Sequence, residues 1–389
     1  MITRDDIREL ANFHSPEGCA LTFYYQPETP SDKSHRGESI FVKDLIRNAL
    51  REAEKTGGKN ACARADLARL NTLAESLHGN AGKGKAIFAC AARGVWREFD
   101  VPPELPKTQI AINQRFHLKP LAALFDGMKH VIVLLADRTK ARVFEILGDQ
   151  TIEKQDFFHK LLRRGRSDGW SGYEGGHAER RQLNDAALHF KNVADHIEQY
   201  FEHGGCEKLL IGCRDDVWSE IYPKLQSNSK QHLVGRFRID PKVATQEQVR
   251  TMALAKLAEV DRDMKQGLIR EVIGEAHREG RGAIGLRRVL RSLETGEVQT
   301  LLLGNNFRAP GVKCYYCGHM DLRVTPNCEV CGKPNTELED IGDAIVGYAI
   351  RNGIEIVYIK NDEEFDKVGR IGALLRFRAD QNTPMKVAV

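Results

Sequence analysis

The chain has 389 residues, 41% of them hydrophobic and 29% charged, with a formal net charge of +4. That length asks for two or three domains rather than one core, and so small a charge does not by itself mark nucleic-acid binding. No apolar run reaches the roughly 20 residues that span a bilayer, and the opening MITRDDIREL lacks the apolar stretch of a secretory signal, so no membrane partner and a cytoplasmic location are expected.

Residues 1–26 suggest a short helix and then a strand over ALTFYY at 20–25, where aromatic residues are concentrated. PETPSDKSHRG at 27–37 has loop composition. Phe41, Leu45, Ala49 and Ala53 recur at helical spacing, which predicts an amphipathic helix over 39–55. GGKN at 57–60 breaks it, a second helix follows over about 64–78, and KAIFACAA at 85–92 suits a buried strand. HVIVLLAD at 130–137 and ARVFEIL at 141–147 are two strands close enough to form a hairpin. Apolar periodicity through Leu183, Ala187, Phe190, Ala194, Ile197 and Phe201 marks a helix over 183–203. KLLIGC at 208–213 and LVGRFRI at 233–239 are further strands, and 245–279 carries a long charged helical pattern. VQTLLLG at 298–304 and IEIVYIK at 354–360 are strand-like, with a segment rich in Pro, Cys and Asn between them at 308–340. The fold class is therefore α/β throughout.

Nine cysteines, an odd count at uneven spacing, argue against a disulfide framework. Cys19, Cys62, Cys90, Cys206 and Cys213 are scattered, and Cys90 and Cys213 lie in apolar stretches as small core residues. The other four form a pattern: Cys314-Tyr-Tyr-Cys317, ten residues, then Cys328-Glu-Val-Cys331. Each pair fits a tight turn with Gly318 or Gly332 directly after it, and two such turns make the tetrahedral S4 site that zinc prefers. Four protein ligands leave no open position, so the expected Zn2+ is structural. His319 is the alternative fourth ligand.

Between the second pair of strands and the helix at 183 lies a polar stretch ending in Gly175-Gly176-His177. Arg163, Arg164, Arg166, Arg180 and Arg181 bracket it, and Trp170 and Tyr173 lie within it. Glycines permit close backbone approach to a ligand, arginines suit phosphates, and aromatic rings stack on bases. The plain alternative is a solvated loop. A nucleotide-phosphate loop is disfavoured, because neither GxxxxGK[ST] nor a dinucleotide fingerprint is present. His189 and His196 lie at helical spacing beside apolar positions and are expected to be structural; Trp96 and Trp218 are expected to pack.

The ordered set of segments resembles the class-one peptide chain release factors of archaea and eukaryotes and their relative Pelota, and most of all their bacterial relatives. FHLKPLAALF at 116–125 followed by HVIVLLADRTKARVFEIL at 130–147 resembles that family's passage from N-terminal to middle domain. Gly175-Gly176-His177 falls where release factors carry Gly-Gly-Gln, and HFKNVADHIEQYF at 189–201 resembles the helix that follows. GAIGLRRVLRSLETGEVQTLLL at 282–303 and VGRIGALLRF at 368–377 resemble the start and end of the C-terminal domain, where archaeal members also carry paired CxxC motifs. The resemblance covers 116–389 well and the N-terminal part poorly.

The resemblance implies three α/β domains in a tRNA-mimicking arrangement. They are an N-terminal domain over 1–125 facing the decoding centre, a middle domain over 126–260 bearing the Gly-Gly-His loop, and a C-terminal domain over 261–389 with a zinc ribbon inserted near 308–340. It implies the ribosome as partner, through rRNA and peptidyl-tRNA, and a translational GTPase such as EF-Tu. It gives Gly175, Gly176 and His177 the catalytic role in peptidyl-tRNA hydrolysis, and Arg163, Arg164, Arg166, Trp170, Arg180 and Arg181 a role in RNA binding. Two departures bear on function: His177 stands in place of glutamine, and no Asn-Ile-Lys-Ser occurs near KTGGKNACAR at 55–64, so stop-codon reading is not expected. Codon-independent hydrolysis in ribosome rescue and non-catalytic occupancy of idle ribosomes both stay open, as does a third reading in RNA processing.

Overall fold

The computed structural model describes residues 2–27, 36–55, 61–74, 84–102, 107–127, 130–147, 150–158, 174–202 and 208–377. Near the N-terminus, helix α1 (Arg4–Asn12) starts at Thr3, whose hydroxyl accepts from the Asp6 N–H while the Asp6 carboxylate accepts from the Thr3 N–H at 2.8 Å. This reciprocal cap satisfies donors that a helix start otherwise leaves open. Strand β1 (Ala20–Tyr25) follows, then α2 (Arg36–Lys55), α3 (Arg64–Leu73), β2 (Gly84–Cys90), β3 (Val95–Val101), β4 (Gln109–Asn113) and α4 (Lys119–Gly127). The four strands form an antiparallel sheet in the order β3-β2-β1-β4. Alternation along β1 sends Leu21 and Phe23 to one face, against Ile46 of α2 and Leu67 and Leu70 of α3, and Tyr24 to the other, against Leu10 of α1 and Leu121 of α4. Both faces are covered, so every residue of β1 is buried.

The middle stretch opens with β5 (His130–Ala136) and β6 (Lys140–Leu147), paired as the expected hairpin. The Asp137 carboxylate closes the turn, accepting from the Thr139 and Lys140 N–H groups at 2.6 and 2.7 Å. Then come β7 (Gln150–Phe158), α5 (Glu174–Glu202), β8 (Lys208–Gly212), α6 (Asp215–Ile221), α7 (Ser227–His232), β9 (Leu233–Phe237) and α8 (Gln246–His277). The sheet order is β7-β6-β5-β8-β9, with β5, β8 and β9 parallel. One face packs Ile132, Leu134, Leu209 and Ile211 against Phe190, Val193 and Ile197 of α5. The other packs Val131, Val133 and Leu210 against Val249, Ala253 and Leu257 of α8.

The last stretch contains β10 (Gly282–Ile284), α9 (Leu286–Glu294), β11 (Val298–Gly304), β12 (Gly311–Lys313), β13 (Met320–Asp321), β14 (Thr336–Leu338), α10 (Ile341–Arg351), β15 (Glu355–Ile359), α11 (Glu363–Lys367) and β16 (Ile371–Leu375). A mixed sheet runs β10-β16-β11-β15, and a separate antiparallel sheet β13-β12-β14 holds the cysteine-rich insertion.

By packing, the chain divides into two compact units: Met1–Gly127 together with Gly267–Val389, and Met128–Gln266. Within the first unit the two chain segments share buried contacts. Ala122 and Ala123 of α4 pack on the core of the β11 sheet, and Ile350 of α10 packs beside Phe116 and Leu118. The Leu118 and Lys119 N–H groups donate to Asp343 at 3.2 and 3.3 Å.

Two features differ from the sequence reading. Cys19 and Cys62 are joined as a disulfide, their Cα atoms 5.8 Å apart, although neither spacing nor count favoured a pair. The 3-10 turn Ala61–Ala63 carries Cys62 to the start of β1, a proximity no local pattern reveals. Strands β3, β4, β7, β10, β12, β13, β14 and β16 were not foreseen. β3 and β7 are rich in polar residues, with only Val101 of β3 buried, and the others have five residues or fewer, so the apolar signal that marks a strand is weak or too short. Cys90 and Cys213 are buried and free, as expected. His189 is buried among the helix-packing residues, and burial pushes His196 down. Trp96 lies under the Arg69 guanidinium, and Trp218 packs on Tyr222 under Arg236.

Candidate functional site

The four clustered cysteines meet at one point. Cys314 follows β12, Cys317 precedes β13, and Cys328 and Cys331 lie in the loop that returns to β14. The two loops are built alike. The Gly318 N–H donates to the Cys314 carbonyl at 2.8 Å and the Gly332 N–H to the Cys328 carbonyl at 2.9 Å. The Cys314 and Cys328 N–H groups in turn donate across their loops to His319 and Lys333. Gly318 and Gly332 have φ of 84° and 70°, a left-handed backbone that a side chain would strain. This is the role the sequence assigned them. The sulfurs of Cys314 and Cys331 are 3.4 Å apart, those of Cys317 and Cys328 3.5 Å, and all four lie within 4.8 Å of one another. Sulfurs around a tetrahedral ion with bonds of about 2.3 Å stand roughly 3.8 Å apart. The donor set therefore fits a single metal ion with no position left for substrate.

The backbone prepares the cluster for charge. Burial pushes the Cys314 thiol up, but N–H donors from Cys317 and Tyr316 outweigh it and bring it down to about 7. Burial pushes Cys317 up to about 12, its sulfur neighbours adding to the effect. One thiolate beside another is penalised until a cation joins them. His319 is not a fifth member. Its ring bonds to the Glu294 carboxylate of α9 and so ties the cluster to the neighbouring helix.

The Gly-Gly-His segment is placed differently from the sequence reading. Helix α5 starts at Glu174, so Gly175, Gly176, His177, Arg180 and Arg181 lie on its first two turns. The helix was expected near Leu183, where the apolar stripe begins. Ala178, Glu179, Arg180, Arg181 and Gln182 are good helix formers without an apolar pattern, which is why periodicity alone set the start too late. Arg163, Arg164, Arg166 and Trp170 lie outside the described residues. The helix that presents the segment is anchored by Phe190 and Ile197, both fully buried.

The family model described as bacterial archaeo-eukaryotic release factor family 10 matches residues 117–262. Peptide chain release factor subunit 1 of Archaeoglobus fulgidus is 26% identical over 306 residues, spanning 72% of this chain and 73% of that protein. The same factor from Pyrococcus abyssi is 24% identical over 313 residues, spanning 72% and 74%. The chain is therefore similar to the archaeal release factor over most of its length and to the bacterial release-factor family over its middle stretch. Among solved structures, Pelota of Archaeoglobus fulgidus is 13% identical and covers 97% of this chain and 93% of its own, with a TM-score of 0.34. Dom34 of S. cerevisiae, a translation termination-like factor, is 11% identical over 76% of this chain and 79% of its own, with a TM-score of 0.42. The stretch matched by the family model runs from His117 through both strands of the hairpin, α5 and half of α8, and so contains the Gly-Gly-His segment.

One group of residues escaped the sequence reading. Arg115, Lys313 and Arg351 lie far apart in the chain, yet all three line a single cavity within the first unit. The only local hint is Lys313 itself, a lysine at the end of an otherwise apolar strand. Among the described residues, no helix is long and apolar enough to cross a membrane.

Proposed function

We propose that this chain is a ribosome-binding translation factor that brings Gly175-Gly176-His177 to the peptidyl-transferase centre and releases nascent chains from stalled ribosomes without reading a codon. The observation that carries the proposal is the release-factor family match over 117–262, within which these residues head a long, well-anchored helix. The chemistry is positioning inside an RNA pocket. A backbone N–H stabilises the developing oxyanion, and His177 orients the water or takes its proton, a task suited to histidine because free imidazole titrates near neutrality. Arg163, Arg164, Arg166, Arg180 and Arg181 contact rRNA phosphates, and Trp170 stacks on a base. On this reading the chain has the tRNA-like three-domain arrangement, with domains over 1–125, 126–260 and 261–389. It works in the cytoplasm, and a translational GTPase such as EF-Tu delivers it.

Zn2+ is the ion proposed for Cys314, Cys317, Cys328 and Cys331, because an all-sulfur tetrahedral set favours it. Its part is structural, holding the ribbon over 308–340.

A second reading is supported by the residue at the tip. With histidine where release factors carry glutamine, the chain occupies the A site of idle ribosomes without cutting the ester, as a hibernation factor. Two measurements separate the readings. The purified chain is sedimented with ribosomes at moderate salt, and peptide release from stalled complexes is assayed with wild type and His177→Ala. Release that His177→Ala abolishes supports hydrolysis; tight binding to vacant ribosomes without release supports occupancy. Failure to co-sediment would sink both.

A further inference from the structure

A cavity of about 340 Å³ lies within the first unit, between residues 109–118 and residues 313–351. Three cationic side chains line it, and none forms an ion pair with a carboxylate among the described residues. Lys313 is 5% exposed and its side-chain nitrogen makes no hydrogen bond among the described residues; it lies 5.3 Å from the centre of the Tyr315 ring. Arg115 donates from one terminal nitrogen to the Ala11 and Phe13 carbonyls at 3.3 and 3.2 Å, while its buried Nε has no partner. Arg351 donates to the same Ala11 carbonyl at 3.3 Å. Two guanidinium groups on one carbonyl repel each other, and burial followed by Arg115 pushes Arg351 down to about 10.

The carboxylates at the cavity form no ion pair with these groups, and Asp343 acts on Lys313 only across space. Asp343 is held by His117 at 2.8 Å and by two backbone N–H groups, and Asp340 is held by Lys119 at 2.6 Å. Glu337 and Glu339 are exposed at the rim. Burying one unpaired charge costs several kcal/mol by general experience, so two guanidinium groups and an amine held together keep full charge only where something compensates them.

We propose that this cavity is a binding site for a small phosphate-bearing anion, bridged by Arg115, Lys313 and Arg351. A tetrahedral dianion offsets the charges of the two guanidinium groups and offers acceptor oxygens in several directions, one of them to the Lys313 nitrogen, which suits donors arriving from separate chain segments. Tyr315, also in the lining, adds a hydroxyl donor. A volume of about 340 Å³ lies at the small end of ligand cavities, large enough for more than the phosphate alone. The bound anion would join the N-terminal segment to the insertion and to α10, locking the first unit. This inference is independent of the function of the Gly-Gly-His segment.

The test is calorimetric titration of the full, metal-loaded chain with inorganic phosphate and with AMP, at ionic strength matched with chloride. Saturable binding in wild type, weakened at least tenfold in Lys313→Met and in Arg351→Met, is expected. Tighter binding of AMP than of phosphate would identify the ligand as a nucleotide, and equal or weaker binding would identify free phosphate; both support the site. Lys313→Met is also expected to melt no lower than wild type when phosphate is absent, because it removes a buried amine without a hydrogen-bond partner while keeping the stem. No saturable binding to wild type, or binding that survives in both variants, overturns the proposal.

Discussion

The Lys119 ammonium stands 2.6 Å from the Asp340 carboxylate and 2.5 Å from the Phe307 carbonyl, so the first residue of α4 is tied to the N-cap of α10 and to the loop after β11. The lysine side chain is only 12% exposed, which sets the contact apart from a surface ion pair. Lys119→Met keeps the apolar stem but leaves Asp340 without its cation. A partly buried pair broken this way is expected to cost about 1–3 kcal/mol. Urea unfolding monitored on the full chain measures it; an unchanged midpoint would show that the contact contributes nothing.

Asp343 gives the same contact region a pH dependence. Burial alone would raise its pKa, but His117 and the backbone N–H of Lys119 outweigh it, and the carboxyl is held below 3.8. A depressed carboxyl stabilises the fold above its unfolded pKa, and that stabilisation is lost as pH falls through the folded value. Wild type is therefore expected to lose stability more steeply below pH 3.8 than Asp343→Asn does. Thermal unfolding between neutral pH and strong acid, run on both proteins, shows the difference; parallel curves would assign the acid sensitivity elsewhere.

These contacts also mark where sequence reading stopped. The hairpin at β5 and β6 was legible because its strands are apolar runs parted by a short polar turn. The cysteine loops were legible because ligand spacing and the following glycine both act within a few residues. The start of α5 was misjudged because its first turns carry helix formers without an apolar stripe. The Lys119–Asp340 and His117–Asp343 contacts, the Cys19–Cys62 pair and the three cations of the cavity join residues distant in sequence. Nothing local encodes such pairs, so they emerge only once the sheets have packed.

Removing the metal is expected to act locally. The insertion is short of apolar contacts: Tyr316, Val324 and Val330 are exposed, and its strands are two or three residues long. A segment of that kind depends on its metal for order. Chelation, or Cys314→Ser, should raise protease cleavage within 308–340 several-fold while leaving the β5–β9 sheet and α5 intact. One zinc per chain by elemental analysis, lost in Cys314→Ser, is the accompanying expectation. A metal-free chain that resists cleavage as well as the loaded one would argue that the four sulfurs hold themselves in place.

Stability and function should move in opposite directions at Gly175 and Gly176. Both lie on the first turn of α5, where glycine is a poor helix former. Replacing either by alanine is expected to stabilise the helix by about 0.5 kcal/mol, the low end of the usual range because the position is terminal. If the segment works by its backbone approaching rRNA and the peptidyl ester closely, an added Cβ obstructs that approach. Gly175→Ala and Gly176→Ala should then melt no lower than wild type yet lose peptide release or ribosome retention at least tenfold. Variants that keep full activity would show that glycine is dispensable there and would leave His177, and the helix that carries it, as the working part. Variants that lose activity and stability together would instead show that the helix start is strained by any side chain, and the loss could not then be read as a loss of contact with RNA.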